Sequence, residues 1–138
     1  MQITVYGMPA PQGSKSFKGM RGGHAVMVES SKRVKPWREA VKWAALEVKE
    51  IVIGPVEVEM VFTMPKPKGA PKTRRTWPDR MPDLSKLVRS TEDALTDAGK
   101  WEDDARVVRC VAMKVFPGEH ADALSSPGAV IRIVSACT

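Results

Sequence analysis

The residues with the chemistry to do work lie between Pro82 and Ala105. Asp83 stands where a helix should begin, and Trp101-Glu102-Asp103-Asp104-Ala105 follows that helix and a short connector. If the connector folds back, the carboxylates of Asp83 and Asp104 approach one point. Such a pair suits Mg²⁺, which keeps several waters and takes only one or two protein carboxylates beside a phosphate. Carboxylates gathered beside cationic arms are what metal-assisted phosphodiester hydrolysis requires: an ion against the scissile phosphate and cations on its neighbours. Taken alone, each residue also has a plain structural use. Asp83 would serve as a helix N-cap worth about 1 kcal/mol, and Asp103-Asp104 as a solvated turn.

The cations are placed to match. Residues 1–80 carry 15 Lys and Arg against 7 Asp and Glu, whereas residues 81–138 carry 7 against 9. The densest stretch runs from Pro65 to Arg80, with Lys66, Lys68, Lys72, Arg74, Arg75 and Arg80 opposed only by Asp79. Pro65, Pro67, Pro71 and Pro78 forbid a helix there. The segment is read as an extended cationic loop holding Trp77, either a solvated surface loop or an arm that contacts phosphates. Lys15 and Lys18 sit in a second Gly/Pro-rich stretch and are assigned, with Lys66, Lys68, Lys72, Arg74 and Arg75, to phosphate contacts.

The elements that must position these groups follow from periodicity. Gln2–Tyr6 alternates as a strand, Met8–Gly23 reads as a loop, and Ala25–Glu29 as a short strand. Lys35–Glu50 carries Trp37, Val41, Ala44/Ala45 and Val48 on one helical face, with Pro36 in the first turn. Trp37 and Trp43 are both read as core residues. Val56 to Met64 alternates as a half-buried strand. Leu84, Leu87, Val88, Thr91, Leu95 and Ala98 form a helical stripe closed by Gly99 at C′. Val107–Phe116 and Ala129–Val134 complete the set, with a loop at Gly118–Gly128. The whole of 1–138 is expected to be one α+β domain, two helices packed on a small mixed sheet.

Composition narrows the rest. The chain has 138 residues, 43% apolar and 28% charged, with a formal charge of +6. That is a globular balance leaning towards a polyanionic partner. Two cysteines, Cys110 and Cys137, exclude a disulfide framework, are read as small buried hydrophobes, and fit a reducing cytoplasm. No secretory leader or membrane span is legible. His24 and His120 are isolated, so zinc is not expected. Gly19, Gly22 and Gly23 do not form a nucleotide loop, and Ser14 and Ser16 have no visible base partner. Aromatics at 6% leave little for a single-strand RNA platform.

Asp83-Leu84-Ser85-Lys86-Leu87-Val88-Arg89, then Asp93-Ala94-Leu95, then Asp103-Asp104 before a strand, resemble the signature of the RusA family of Holliday-junction resolvases. The match is close over Asp83–Val108, and the order of elements before it is also similar. The resemblance implies an α+β homodimer that binds four-way or branched DNA and makes paired, symmetric, Mg²⁺-dependent nicks, with Mn²⁺ able to substitute. It implies a cytoplasmic protein of phage or prophage origin. The family's first and third aspartates map to Asp83 and Asp104, with Asp103 beside them, and its lysine to Arg89. Lys86 keeps a cation for DNA. The family's second aspartate falls on Ser85, which brings no charge. Glu92, seven residues on and on roughly the same helix face, is then a further metal-ligand candidate, at about 10 Å of rise far for direct ligation, with Asp103 and Asp93 as nearer alternatives. If nothing replaces the lost charge, the alternative is a catalytically impaired DNA-binding relative.

Overall fold

The computed structural model describes residues 1–13, 15–21, 24–29 and 32–136, with side chains described for 1–13 and 32–136. Along the chain come β1 (Gln2–Tyr6), β2 (Lys15–Arg21), β3 (His24–Glu29), α1 (Val34–Glu47), β4 (Val56–Thr63), α2 (Leu84–Asp97), a 3₁₀ turn (Asp104–Arg106), β5 (Val107–Val115) and β6 (Gly128–Ser135). This is the expected α+β domain, with one strand more than the sequence suggested. The prolines and glycines of Met8–Gly23 predict a loop there; instead Lys15–Arg21 pairs antiparallel with His24–Glu29, with an irregularity between Phe17 and Met20. Arg21 pairs with His24, so Gly22-Gly23 separates the strands in sequence, the two-residue spacing that favours a hairpin.

The main sheet runs β1-β6-β4-β5. β4 is antiparallel to β6 and parallel to β5. Val56, Val58, Met60 and Phe62 of β4 are fully buried, while Glu57 and Glu59 turn to the other face. Against the apolar face lie Trp37, Val41 and Ala45 of α1 and Leu87, Ala94 and Leu95 of α2, with Ile3, Val5, Ile131 and Ile133 of the flanking strands. The buried polar side chains of the two helices are paired. Trp37 Nε1 donates to Thr91 Oγ1 at 3.1 Å, and Thr91 Oγ1 donates to the Leu87 carbonyl at 2.8 Å. Ser90 Oγ donates to the Ala10 carbonyl at 2.7 Å, docking the chain after β1 on α2.

Two core expectations fail for geometric reasons. Trp43 is 67% exposed. Six residues separate it from Trp37, which at 3.6 residues per turn puts it about 120° away around the helix. Cys110 is exposed because β5 is an edge strand; Cys137 lies outside the described residues. Among the described residues, no helix is long and apolar enough to cross a membrane.

The end of α2 determines where the acidic turn goes. Gly99 has φ +73°. Its N–H bonds to the Thr96 carbonyl, and that of Lys100 to the Leu95 carbonyl, a Schellman closure. Lys100 is 2% exposed and points its Nζ at the carbonyls of Val48 and Glu50, the latter at 2.9 Å. Its own carbonyl accepts from Val52 N–H at 2.9 Å. One buried ammonium thus ties the chain after α1 to the connector after α2. Lys100→Met keeps the stem but orphans two carbonyls; urea denaturation should show a loss of about 1–3 kcal/mol.

Candidate active site

β4 and β5 are parallel, so the chain must cross the sheet between them, and residues 64–106 make that crossing. The basic loop, α2 and the acidic turn all lie on it. α2 buries one side and turns Ser85, Arg89, Glu92, Asp93 and Thr96 away from the core, a stripe at helical spacing.

Asp104 is brought against the C-terminal half of this stripe. Its Oδ1 accepts from the Thr96 hydroxyl. Thr96 Oγ1 in turn accepts from the indole N–H of buried Trp101 at 2.6 Å. A hydroxyl has one proton to give, so the Trp101 bond commits the Thr96 proton to Asp104 and fixes one carboxylate oxygen. Asp103 does something different: its Oδ1 accepts from Ala105 N–H at 2.9 Å and caps the 3₁₀ turn.

Glu92 and Asp93 share this neighbourhood. Burial lifts the Glu92 carboxyl above the usual glutamate range, and the charges of Asp104 and Asp93 lift it further. Burial likewise raises Asp93; Arg38 pulls it back, Asp104 raises it by charge and by a shared hydrogen bond, and Arg89 lowers it. Burial also raises the Cys110 thiol, helped by the negative charge of Glu92. Three carboxyls therefore repel one another in a half-buried spot flanked by two guanidiniums. Arg38, which also bonds Asp97 at 3.2 Å, escaped sequence reasoning because it sits on α1. Thr96 and Trp101 escaped it because their role depends on the Gly99 turn.

Asp83 occupies the opposite end of α2. It is the N-cap residue by backbone conformation, yet its exposed side chain makes no cap bond. Ten residues separate it from Asp93, about 15 Å of helix rise. The structure thus joins Glu92 and Asp93 with Asp104, and leaves Asp83 at the far end of the stripe with Arg89 between. Lys114 of β5 secures that end, donating to the carbonyls of Arg80 and Pro82, each at 2.9 Å.

The cluster fits a divalent cation in its chemistry. The donors are hard oxygens, their mutual repulsion is relieved by positive charge, and Mg²⁺-type ions need few carboxylates. Among the described residues, no trio of His, Cys, Asp or Glu is arranged to enclose an ion.

The basic loop is held at its base. Glu119 accepts from Lys66 Nζ at 2.7 Å and from the Thr76 N–H at 2.8 Å. These bonds hold the Glu119 carboxyl below the usual range, that from Lys66 contributing most. Lys68, Lys72, Arg74 and Arg75 remain exposed, with Arg75 stacked 4.1 Å over the Trp77 ring. Lys66, assigned from sequence to phosphate, is turned to Glu119. Lys86 is half-buried in the first turn of α2, where its carbonyl accepts from Gln12 N–H. Lys15 and Lys18 lie on β2, and their side chains are outside the described residues.

Residues 7–133 match the family described as endodeoxyribonuclease RusA. The chain belongs to this family. RusA proteins are metal-dependent endodeoxyribonucleases that resolve Holliday junctions, so the acidic stripe and the basic loop belong to a chain whose family cuts branched DNA. Comparison with curated proteins finds no match.

Thr96→Val removes the bond to Asp104 at nearly constant volume. Nicking of a four-way junction should fall about 10–100-fold, as for other groups that orient a metal ligand, and Thr96→Ser should keep most of it. The Glu119 clamp carries its own test. Because its folded pKa is depressed, the clamp is fully present above the ordinary glutamate range and is lost as pH falls through the folded value. Hydrogen exchange should show less protection of the Thr76 amide in Glu119→Ala at neutral pH. The difference from wild type should vanish in acid.

Proposed function

We propose that this RusA protein is a Mg²⁺-dependent endonuclease that nicks four-way DNA junctions in symmetric pairs as a homodimer. The observation that carries the reading is the convergence of Glu92 and Asp93 with Asp104 beside Arg89. Glu92 lies two turns beyond Ser85 and brings a carboxylate to the helix face on which the family pattern lost one, about 10 Å further along the axis.

In this reading Asp104 and Glu92 hold the ion with Asp93 beside them, and Asp83, a ligand in the family pattern, lies about 15 Å of helix rise from Asp93 and adds negative charge at the other end of the stripe. A divalent ion there supplies positive charge to the scissile phosphate and eases deprotonation of water. The water oxygen bonds to phosphorus in line while the bond to the 3′ oxygen breaks, and that oxygen leaves with a proton. Arg89 offsets the charge gathering on the phosphate. Thr96 and Trp101 keep one Asp104 oxygen pointed, and Asp103 keeps the turn in shape. Lys68, Lys72, Arg74 and Arg75 hold flanking phosphates, helped by Lys15, Lys18 and Lys86. Such contacts carry no sequence reading, so selectivity comes from the shape of the branch. The two-fold symmetry of a junction matches a closed, isologous pair of subunits.

A second reading, binding without cutting, is favoured by the uncharged Ser85 and by the separation of Asp83 from Asp104. One experiment decides between them. Incubated with a mobile four-way junction and Mg²⁺, wild type should nick opposed strands. Asp104→Asn should bind the junction but leave it intact, and Glu92→Gln should be severely slowed. Adding Ser85→Asp should restore cutting to Glu92→Gln. Binding with no nicks in Mg²⁺ or Mn²⁺ would establish the second reading, and full activity in Glu92→Gln would remove Glu92 from the site.

A further inference from the structure

Beside the start of α2 the surface opens into a groove of about 690 Å³. Its walls include Trp77, Pro78, Met81 and Pro82, with Phe116 at its inner side and Arg80 among its charged residues. Trp77 is 52% exposed and Met81 88% exposed, so large apolar surface is presented to solvent here. Arg75 lies over one face of the indole. The Thr76 hydroxyl, also in the lining, is buried with no hydrogen-bond partner. The mouth is fixed: Lys114 pins the carbonyls of Arg80 and Pro82, Glu119 pins Thr76, and the prolines hold φ near −65°.

We infer that this groove receives one unstacked nucleobase from the centre of the branched DNA, stacked against Trp77. The inference rests on the reading of the chain as a branched-DNA protein. Three features point to that occupant. An indole backed by a guanidinium is a stacking platform for any base. The groove is lined by Arg33 and Arg80 against Asp79, and Arg75 lies on the Trp77 ring, so its edge attracts a phosphate chain while the walls attract an apolar face. Pro82, in the lining, immediately precedes Asp83 at the start of α2, so a strand laid along α2 past Glu92 and Arg89 arrives at the groove. Bases at a branch point are the least costly to unstack, which makes such a subsite a reader of branching as well as a grip.

The test measures binding in EDTA, where cutting plays no part. Affinities are taken for a four-way junction, the same junction with an abasic residue at each branch-point position in turn, and a linear duplex. Wild type should lose about tenfold at one abasic position, a typical worth of one base–aromatic stack. Trp77→Ala should lose a similar factor on the intact junction, be indifferent to the abasic change, and bind duplex within twofold of wild type; Trp77→Phe should keep most of the affinity. If no abasic position costs wild type more than twofold, the inference is overturned, whatever the variants do. A Trp77→Ala protein that falls apart into monomers by sedimentation also overturns it, since the groove would then seat a second copy of the chain. The nuclease reading fails separately, on the absence of nicks in Mg²⁺, and a Trp77-dependent junction preference without nicks leaves the groove assignment standing.

Discussion

The parallel pairing of β4 with β5 is the constraint on which the rest depends. Antiparallel neighbours need only a hairpin, but parallel ones oblige the chain to travel back across the sheet before pairing. In this protein residues 64–106 make the return. The first part is the proline-bound cationic loop, the middle is α2, and the last is the acidic turn. α2 must bury Leu87, Ala94 and Leu95 against β4 to complete the core, and the same rotation turns Arg89, Glu92, Asp93 and Thr96 outward. Packing and chemistry are therefore two sides of one helix, and neither can be re-registered without the other.

That arrangement carries an electrostatic cost. Glu92 and Asp93 are half-buried; the charges of Asp104 and Asp93 raise the proton affinity of Glu92, and Asp104 raises that of Asp93. The opposing terms are local: Arg38 and Arg89 flank the cluster, and the Thr96 hydroxyl satisfies one Asp104 oxygen. An apolar contact would be more stable than like charges at close range. In the proposed reading, charges held together against their own repulsion are a store of negative potential for a cation.

Much of this was legible in the sequence because it depends on local rules. The alternation of β4, the apolar stripe of α2 and Gly99 at its end each reflect chain geometry within a few residues. The strand at Lys15–Arg21 was hidden because Gly19 and Gly22-Gly23 read as breakers, although glycine pairs also close hairpins. Trp43 reads as core from its place on the same helix as Trp37, but six steps of about 100° turn it to solvent. The site divides similarly. The acidic positions were visible from their pattern. What they touch was not: Arg38 comes from another helix, Cys110 from an edge strand, and the Trp101–Thr96–Asp104 chain exists only after the Schellman turn has reversed the backbone.

Under the proposed reading, in which Glu92 takes up the charge that Ser85 lacks, such a site changes without being lost. A carboxylate has to be near the ion, not at one position in the chain. On a helix, a step of seven residues returns to the same face with a drift of only about 20°. Moving charge from position 85 to 92 therefore keeps its direction and shifts it along the axis, away from Asp83 and towards Asp104. The shift leaves Asp83 as the acidic group at its own end of the helix. It is favourable at the Asp104 end, where the carboxyl is partly shielded from water and its attraction for a cation is correspondingly greater. The centre of negative charge is thus displaced towards the turn that Lys100 and Trp101 hold rigid, the part of the crossover whose geometry the fold constrains most.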